Sequence, residues 1–201
     1  MPKISDERKT ERREQILAGA RRCFSEHGYE GATVARLEEA TGLSRGAIFN
    51  YFPSKEDIFL ELAWRDNERL IRLWLDRGWE AALRAVVEED SDWLGVYLEM
   101  TRKIRTDADF ARRHEERTQE ELAPLLVQHV RGEQERGELR DDYPPERVAG
   151  FVSLVANGVV LQMAFGEPIR DVDALIGFVR TAVAPVPTGR ARPRTPSRTR
   201  A

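Results

Sequence analysis

The chain has 201 residues, 41% of them hydrophobic, with 32 Lys and Arg against 35 Asp and Glu for a formal net charge of −3. That is enough apolar material for one moderate packed domain or two small ones, and it excludes a chain too polar to fold. The single cysteine, Cys23, excludes an intrachain disulfide or a cysteine zinc cluster; beside Phe24 it reads as a small buried residue in a reducing compartment. The opening MPKISDERKTERREQ is charged and lacks the apolar stretch of a signal peptide, and no apolar run reads as long enough to cross a bilayer. A cytoplasmic protein without membrane contact is expected.

Residues 1–9 form a basic arm. Its Lys3, Arg8 and Lys9, followed by Arg12 and Arg13, suit either DNA phosphates or an ordinary solvated helix start. Ile16, Leu17, Ala20, Cys23 and Phe24 then give a first helix one apolar face, which His27-Gly28 ends. Thr33 is a fitting N-cap for a short second helix carrying Val34, Leu37 and Ala40, which stops near Thr41. Gly42 can take the left-handed conformation that redirects the chain. Leu43 packs inward and Ser44 caps a third helix, Arg45 to Phe52, so that TVARLEEATGLSRGAIFNYFPSK reads as a helix-turn-helix.

The third helix has the chemistry of a recognition helix. Ile48, Phe49 and Phe52 fall on its inner side, leaving Ser44, Arg45, Gly46, Ala47, Asn50 and Tyr51 outward. Arg45 can reach a phosphate or bond guanine twice, and Gly46 and Ala47 are too small to hold the helix off the groove floor. Asn50 can pair with adenine or bond a phosphate, and the Tyr51 hydroxyl can donate to a phosphate while its ring stays packed. Pro53 stops the helix. Ser54 and Asp57 make a capping box for the next one, and Lys55 in its first turn offers a phosphate contact.

Residues 10–62, and SRGAIFNYFPSKEDIF most specifically, resemble the TetR family of bacterial transcriptional regulators. Within that family RRCFSEHGYEGATVARLEEATGLSRGAIF is similar to the actinobacterial aconitase-gene repressors. The resemblance implies occupation of a double-stranded operator and release by a small-molecule effector. Asn50 stands where many relatives carry His, so base preference does not carry over.

Past Ser54 the chain continues as a long helix to about Leu75, with Ile58, Phe59, Leu62, Leu70, Leu73 and Trp74 at helical spacing. Further helices are predicted over residues 79–88, 92–105, 108–136, 145–165 and 171–183, separated by caps and turns, with no convincing strand. The expected fold class is all-α: a helix-turn-helix domain over residues 10–55 and a helical regulatory and dimerisation domain over residues 56–184. Residues 185–201, rich in Pro, Thr, Ser and Arg, read as a disordered basic tail.

Residues 148–165, VAGFVSLVANGVVLQMAF, are apolar on most sides, so the helix needs two neighbours: Phe151, Leu154, Gly158 and Leu161 toward one, Val148, Val152, Val155 and Val159 toward another. With the last helix supplying Val172, Leu175, Ile176, Phe178 and Val179, the pattern predicts a homodimer through paired C-terminal helices. Between head and dimer helices Trp74, Trp93, Tyr97, Met100, Ile104 and Phe110 stand among Arg102, Arg105, His114, Gln128, Asn157 and Gln162. From these Trp93, Tyr97, Met100, Arg105 and Asn157 are the candidate effector contacts. A citrate-like polycarboxylate, which the aconitase resemblance suggests, would use the arginines.

No catalytic, cofactor or metal set is legible. His114-Glu115-Glu116-Arg117-Thr118 begins like a zinc-protease motif but carries Thr118 where the second histidine is needed. The competing reading is a helical protein-interaction module without DNA binding; the open Arg45-Gly46-Ala47 face argues against it.

Overall fold

The structure is a computed structural model that describes residues 6–88 and 91–186, with backbone alone for 91–95. The start of the basic arm, the Trp93 side chain and the tail beyond residue 186 lie outside the described residues. Among these residues there are helices and no strand: α1 Asp6–Gly31, α2 Val34–Thr41, α3 Arg45–Phe49, α4 Lys55–Arg77, α5 Trp79–Val87, α6 Ser91–Thr106, α7 Ala108–Arg117, α8 Ala123–Glu135, α9 Pro145–Ala164 and α10 Val172–Val183. Residues 6–9, assigned to the arm by sequence, are already the first turn of α1.

The head is held by the side chains that the helical spacing selects. Ile16, Leu17, Ala20, Cys23 and Phe24 of α1 bury against Leu37, Ile48, Phe52, Ile58, Phe59 and Leu62. Gly19 sets how closely α1 and α2 cross: a Cβ there would lie 2.7 Å from the Ala40 carbonyl oxygen. The regular part of α1 ends at Gly28 (φ 68°), where the backbone leaves helical geometry before one more turn. The same core extends into the regulatory part, because Val96 of α6 and Phe110 of α7 are buried in it. Phe110, grouped by sequence with the aromatic set between head and dimer helices, is head core and packs beside Phe59.

A second core joins α4, α5, α8, α9 and α10 around Trp74, Leu83, Val130, Val148, Val152, Val159, Ile176 and Val179. The helix expected over 108–136 is interrupted by a π-helical turn, Thr118–Leu122, which links α7 to α8. Pro124 explains it: proline has no amide hydrogen, and its ring crowds the carbonyl one turn earlier. By length and mean hydropathy α9 is sufficient to cross a membrane, which corrects the sequence expectation. The apolarity has another use, since Val148, Ala149, Val152 and Val159 are buried in this core.

One buried carboxylate makes this core pH-sensitive. Glu133 of α8 is 8% exposed, and its Oε2 has no hydrogen-bond partner. Burial pushes the carboxyl above its ordinary 4.5, while His129 and the Trp74 indole, near but outside hydrogen-bond geometry, oppose the rise. The folded form thus holds this proton more tightly than the unfolded chain. Its ionisation removes stability as pH rises from about 4.5 through the folded value. Glu133→Met is expected to stabilise the protein by about 1 kcal/mol at pH 8, the scale of one unsatisfied buried polar atom, and by less at pH 5. Urea denaturation at the two pH values checks this; a wild type more stable than the variant at pH 8 means the ionised carboxylate is well paired.

Candidate nucleic-acid interface and the cavity behind it

Local hydrogen bonds build the helix-turn-helix as the cap residues dictate. Thr33 Oγ1 accepts from the Arg36 amide at 3.4 Å, and Gly42 (φ 69°, ψ 21°) closes α2 with its amide donating to the Glu38 carbonyl. Ser44 Oγ accepts from the Ala47 amide at 3.4 Å. Helix α3 is shorter than predicted. It runs from Arg45 to Phe49, and Asn50 is its C-cap; the chain then tightens, with the amides of both Tyr51 and Phe52 donating to the Ile48 carbonyl before Pro53.

Ile48 and Phe52 are buried, and Phe49 is half-buried rather than fully inward. Ser44, Arg45, Gly46 and Asn50 form the exposed edge, with Ala47 and Tyr51 half-exposed beside it. Among the described residues a Cβ on Gly46 would meet nothing within 4 Å, so no packing among them requires glycine there. Arg45 extends over the Phe49 ring, 5.9 Å from its centroid. Arg13 braces the end of α3 from behind, lying 4.4 Å over the Phe52 ring and donating to the Tyr51 carbonyl at 3.3 Å.

The capping box of α4 is present: Ser54 Oγ accepts from the Asp57 amide at 3.1 Å and donates to its carboxylate at 2.7 Å. Lys55 is less open than its sequence position suggests. Its ammonium donates to the Tyr29 carbonyl at 2.7 Å and sits 4.3 Å from the centroid of that ring, which leaves two of its three protons for another acceptor.

Behind the head lies a cavity of about 420 Å³, bounded by α4, α5, α6, α7, α8, α9 and the π turn. Of the predicted effector contacts it is lined by Tyr97, Met100 and Asn157, and the Tyr97 hydroxyl donates to Asn157 Oδ1 at 3.3 Å across it. Arg105 is exposed and stands outside the lining, as do Gln128 and Gln162, because each points away from the interior on its own helix. Arg102 pairs with Glu30 at 3.5 Å on the surface. Sequence reasoning missed the α4 lining: Asp66, Asn67 and Arg69 follow the apolar stripe of α4, and only the tertiary arrangement, in which residues of α6, α8 and α9 line the same cavity, brings them to it. His114 also lines it, with burial holding its imidazole below the usual range.

Two family models cover nearly all of this architecture. Residues 16–62 match the description "Bacterial regulatory proteins, tetR family", and residues 67–186 match "BetI-type transcriptional repressor, C-terminal". The chain is 40% identical over 185 residues to the HTH-type transcriptional repressor Rv1474c of Mycobacterium tuberculosis, covering 91% of this chain and 98% of that protein. It is a TetR-family transcriptional repressor. The HTH-type transcriptional repressor AcnR of Corynebacterium diphtheriae is 38% identical, with 91% and 97% covered. Among solved structures, Salmonella enterica GusR shares the fold at TM-score 0.70 and 22% identity, covering 90% and 96%.

In this TetR-family chain an ion-pair cluster grips the start of α4. Arg113 of α7 bonds Asp57 and, at 3.1 Å, Glu56, while Lys103 of α6 bonds Glu56 at 2.5 Å. Arg117 pairs with Glu61 at 2.8 Å and lies 3.5 Å from the centroid of the Trp64 ring. Burial raises the Asp57 and Glu61 carboxyls, but Ser54 and Arg113 at the first, and Arg117, Arg65 and Arg13 at the second, outweigh it and hold both below the usual range. These contacts are present at neutral pH and fade as pH falls through the lowered values.

Helix α9 has one face buried within the chain and one exposed. Val159 is fully buried and Val155 packs against the same internal core. The outer layer is Phe151, Leu154, Leu161 and Phe165, joined by Phe178 of α10, all exposed. Helix α10 is fixed in place by Arg180–Glu80 at 2.7 Å, Arg84–Asp173 at 2.5 Å and Arg140, whose amide and guanidinium both donate to the C-terminal carbonyls of α10.

Proposed function

We propose that this repressor acts as a homodimer on a palindromic operator, with α3 of each protomer in a major groove. The observation that carries the reading is the exposed edge Ser44, Arg45, Gly46 and Asn50, in which Gly46 is surrounded by open space. Where alanine would fit, glycine costs about 0.4–1 kcal/mol through the extra freedom of the unfolded chain, and nothing among the described residues recovers that at Gly46, so the small residue serves an external surface that comes close. Arg45 and Asn50 read bases; Ala47 touches a thymine methyl; Thr33, Ser44, Tyr51 and Lys55 bond phosphates. The exposed layer of α9 and α10 pairs with its two-fold mate, setting the heads about one DNA turn apart, roughly 34–36 Å. Control of an aconitase gene is the regulatory assignment that the resemblance in residues 10–62 supports, in the cytoplasm.

Release follows when a small molecule in the cavity stabilises a state with wrongly spaced heads. With Arg105 outside the cavity, a polycarboxylate keeps only Arg69 and His114 as cationic partners, and burial favours neutral His114. The lining Phe59, Leu70, Val96, Met100, Ile104 and Val160 favours a molecule with an apolar body and a hydrogen-bonding end at Tyr97 and Asn157.

Selection from a random duplex pool, followed by footprinting on the selected sequence, tests the operator reading: a two-fold repeat is expected, and failure to enrich any sequence overturns it. Calorimetry with citrate on the free protein and on the DNA complex tests the effector class. Negligible binding at pH 7.5 is the expected result. Citrate affinity that falls by a common factor in the presence of operator, as linkage requires of an effector, restores the polycarboxylate.

A further inference from the structure

We infer that Glu61 is a positioning residue for operator binding, one carboxylate that ties α7 of the regulatory part to the C-terminal end of the recognition helix. The inference rests on the reading of α3 as the groove-entering helix.

Glu61 stands on α4 with its side chain only 12% exposed, and its carboxylate is shared among three helices. Its Oε2 accepts from Arg117 of α7 at 2.8 Å, while its Oε1 accepts from Arg65 of α4 at 3.0 Å and lies 3.5 Å from Arg13 of α1. Arg13 carries the connection into the DNA face. The same guanidinium donates to the Tyr51 carbonyl at 3.3 Å and covers the buried Phe52 ring at 4.4 Å, so it helps fix where the chain leaves a helix of only five residues. At the other end Arg117 is the last residue of α7 and lies against the Trp64 ring; the next residue, Thr118, begins the π turn and lines the cavity. Arg117, Glu61 and Arg13 thus make one continuous polar contact from beside the cavity wall to the end of α3.

Each of the three arginines also has a second partner. Arg65 bonds Glu14 at 2.7 Å, Arg117 pairs with Glu121 at 3.3 Å, and Arg13 holds the Tyr51 carbonyl. Removing the Glu61 charge therefore strands no guanidinium, so the fold survives while the tie between α7 and α1 is weakened. Base edges are read at hydrogen-bond distances and need the α3 edge held in place, whereas attraction to phosphates in general is independent of sequence and less demanding of orientation. A loosened α3 loses the operator before it loses DNA. Charge and position also separate by sign. Arg117→Ala removes a positive charge and Glu61→Gln a negative one, so a long-range field would move DNA affinity in opposite directions, while a broken tie moves operator affinity the same way in both.

The test is a double-mutant cycle on Arg117→Ala and Glu61→Gln, read as affinity for the selected operator and for a random-sequence duplex of the same length, with thermal melting as the check on folding. Each single substitution is expected to weaken the operator complex about fivefold to fiftyfold, within the range of coupling between separate sites, and to change random-duplex affinity by less than about twofold. Adding Arg117→Ala to Glu61→Gln is expected to cost less than about twofold more, because the tie is already cut. A merely cohesive cluster would lower the melting temperature and leave operator affinity, measured well below it, unmoved. Shifts of opposite sign in the two single variants would show a field effect, and additive losses would show two independent contacts; each of these three results overturns the inference. A wild type that prefers no sequence overturns the recognition-helix reading first, whereas operator preference with an additive cycle overturns this inference alone.

Discussion

Replacing Leu154 and Phe178 together by Asp is expected to convert the protein to a well-folded monomer and to lower operator affinity by about 10²–10⁴-fold, the advantage that linking two half-site contacts confers. Leu154 is 70% exposed and Phe178 is 78% exposed, so neither substitution opens a hole in the protomer. In a dimer both would place carboxylates in an apolar contact, where an unpaired charge is strongly disfavoured. Sedimentation and helical circular dichroism read assembly and folding separately. Retained dimerisation in the double variant would move the interface elsewhere. Val155 and Val159, the obvious choices from periodicity alone, are poor probes, because they pack inside the protomer and their replacement by charge would unfold it.

The second large effect concerns Gly46. Gly46→Trp is expected to abolish specific operator binding, a loss above about 100-fold, by holding α3 off the groove floor. Gly46→Ala is expected to raise folding stability by about 0.4–1 kcal/mol, since a Cβ there meets nothing within 4 Å among the described residues and alanine leaves the unfolded chain less freedom to lose. Loss of DNA binding with a preserved or increased melting temperature marks a residue kept small for a partner rather than for the fold. Arg45→Ala supplies the comparison, at about 1–3 kcal/mol with relaxed preference at one position if it reads a base. Operator affinity unchanged in both Gly46→Trp and Arg45→Ala would place the interface on another surface.

The head was legible in sequence because its determinants are local. Thr33, Gly42, Ser44 and Ser54 act on amides and dihedral angles within four residues of themselves, and all four occupy the roles their side chains predict. The helical class followed from apolar periodicity, and family membership from a contiguous motif. The length of α3 was overestimated because periodicity cannot see the tightening at Tyr51, where the chain turns toward Pro53 and Arg13 holds the Tyr51 carbonyl.

What only the tertiary structure decided were the directions taken by residues whose partners are far along the chain. Arg105 and His114 looked equivalent as polar groups on helices near aromatic residues, yet one faces solvent and the other the cavity, a difference set by which face each helix turns toward its neighbours. Phe110 belonged to the head core and Asp66, Asn67 and Arg69 to the cavity for the same reason. Glu38 and Glu39 are adjacent acids in the same helix, and only the crossing of α2 and α3 delivers the Glu38 carboxylate to the Arg45 amide. The spacing of side chains along a helix fixes which of them share a face; which neighbour meets that face depends on contacts between helices, and those are made at sequence separations over which no local pattern operates.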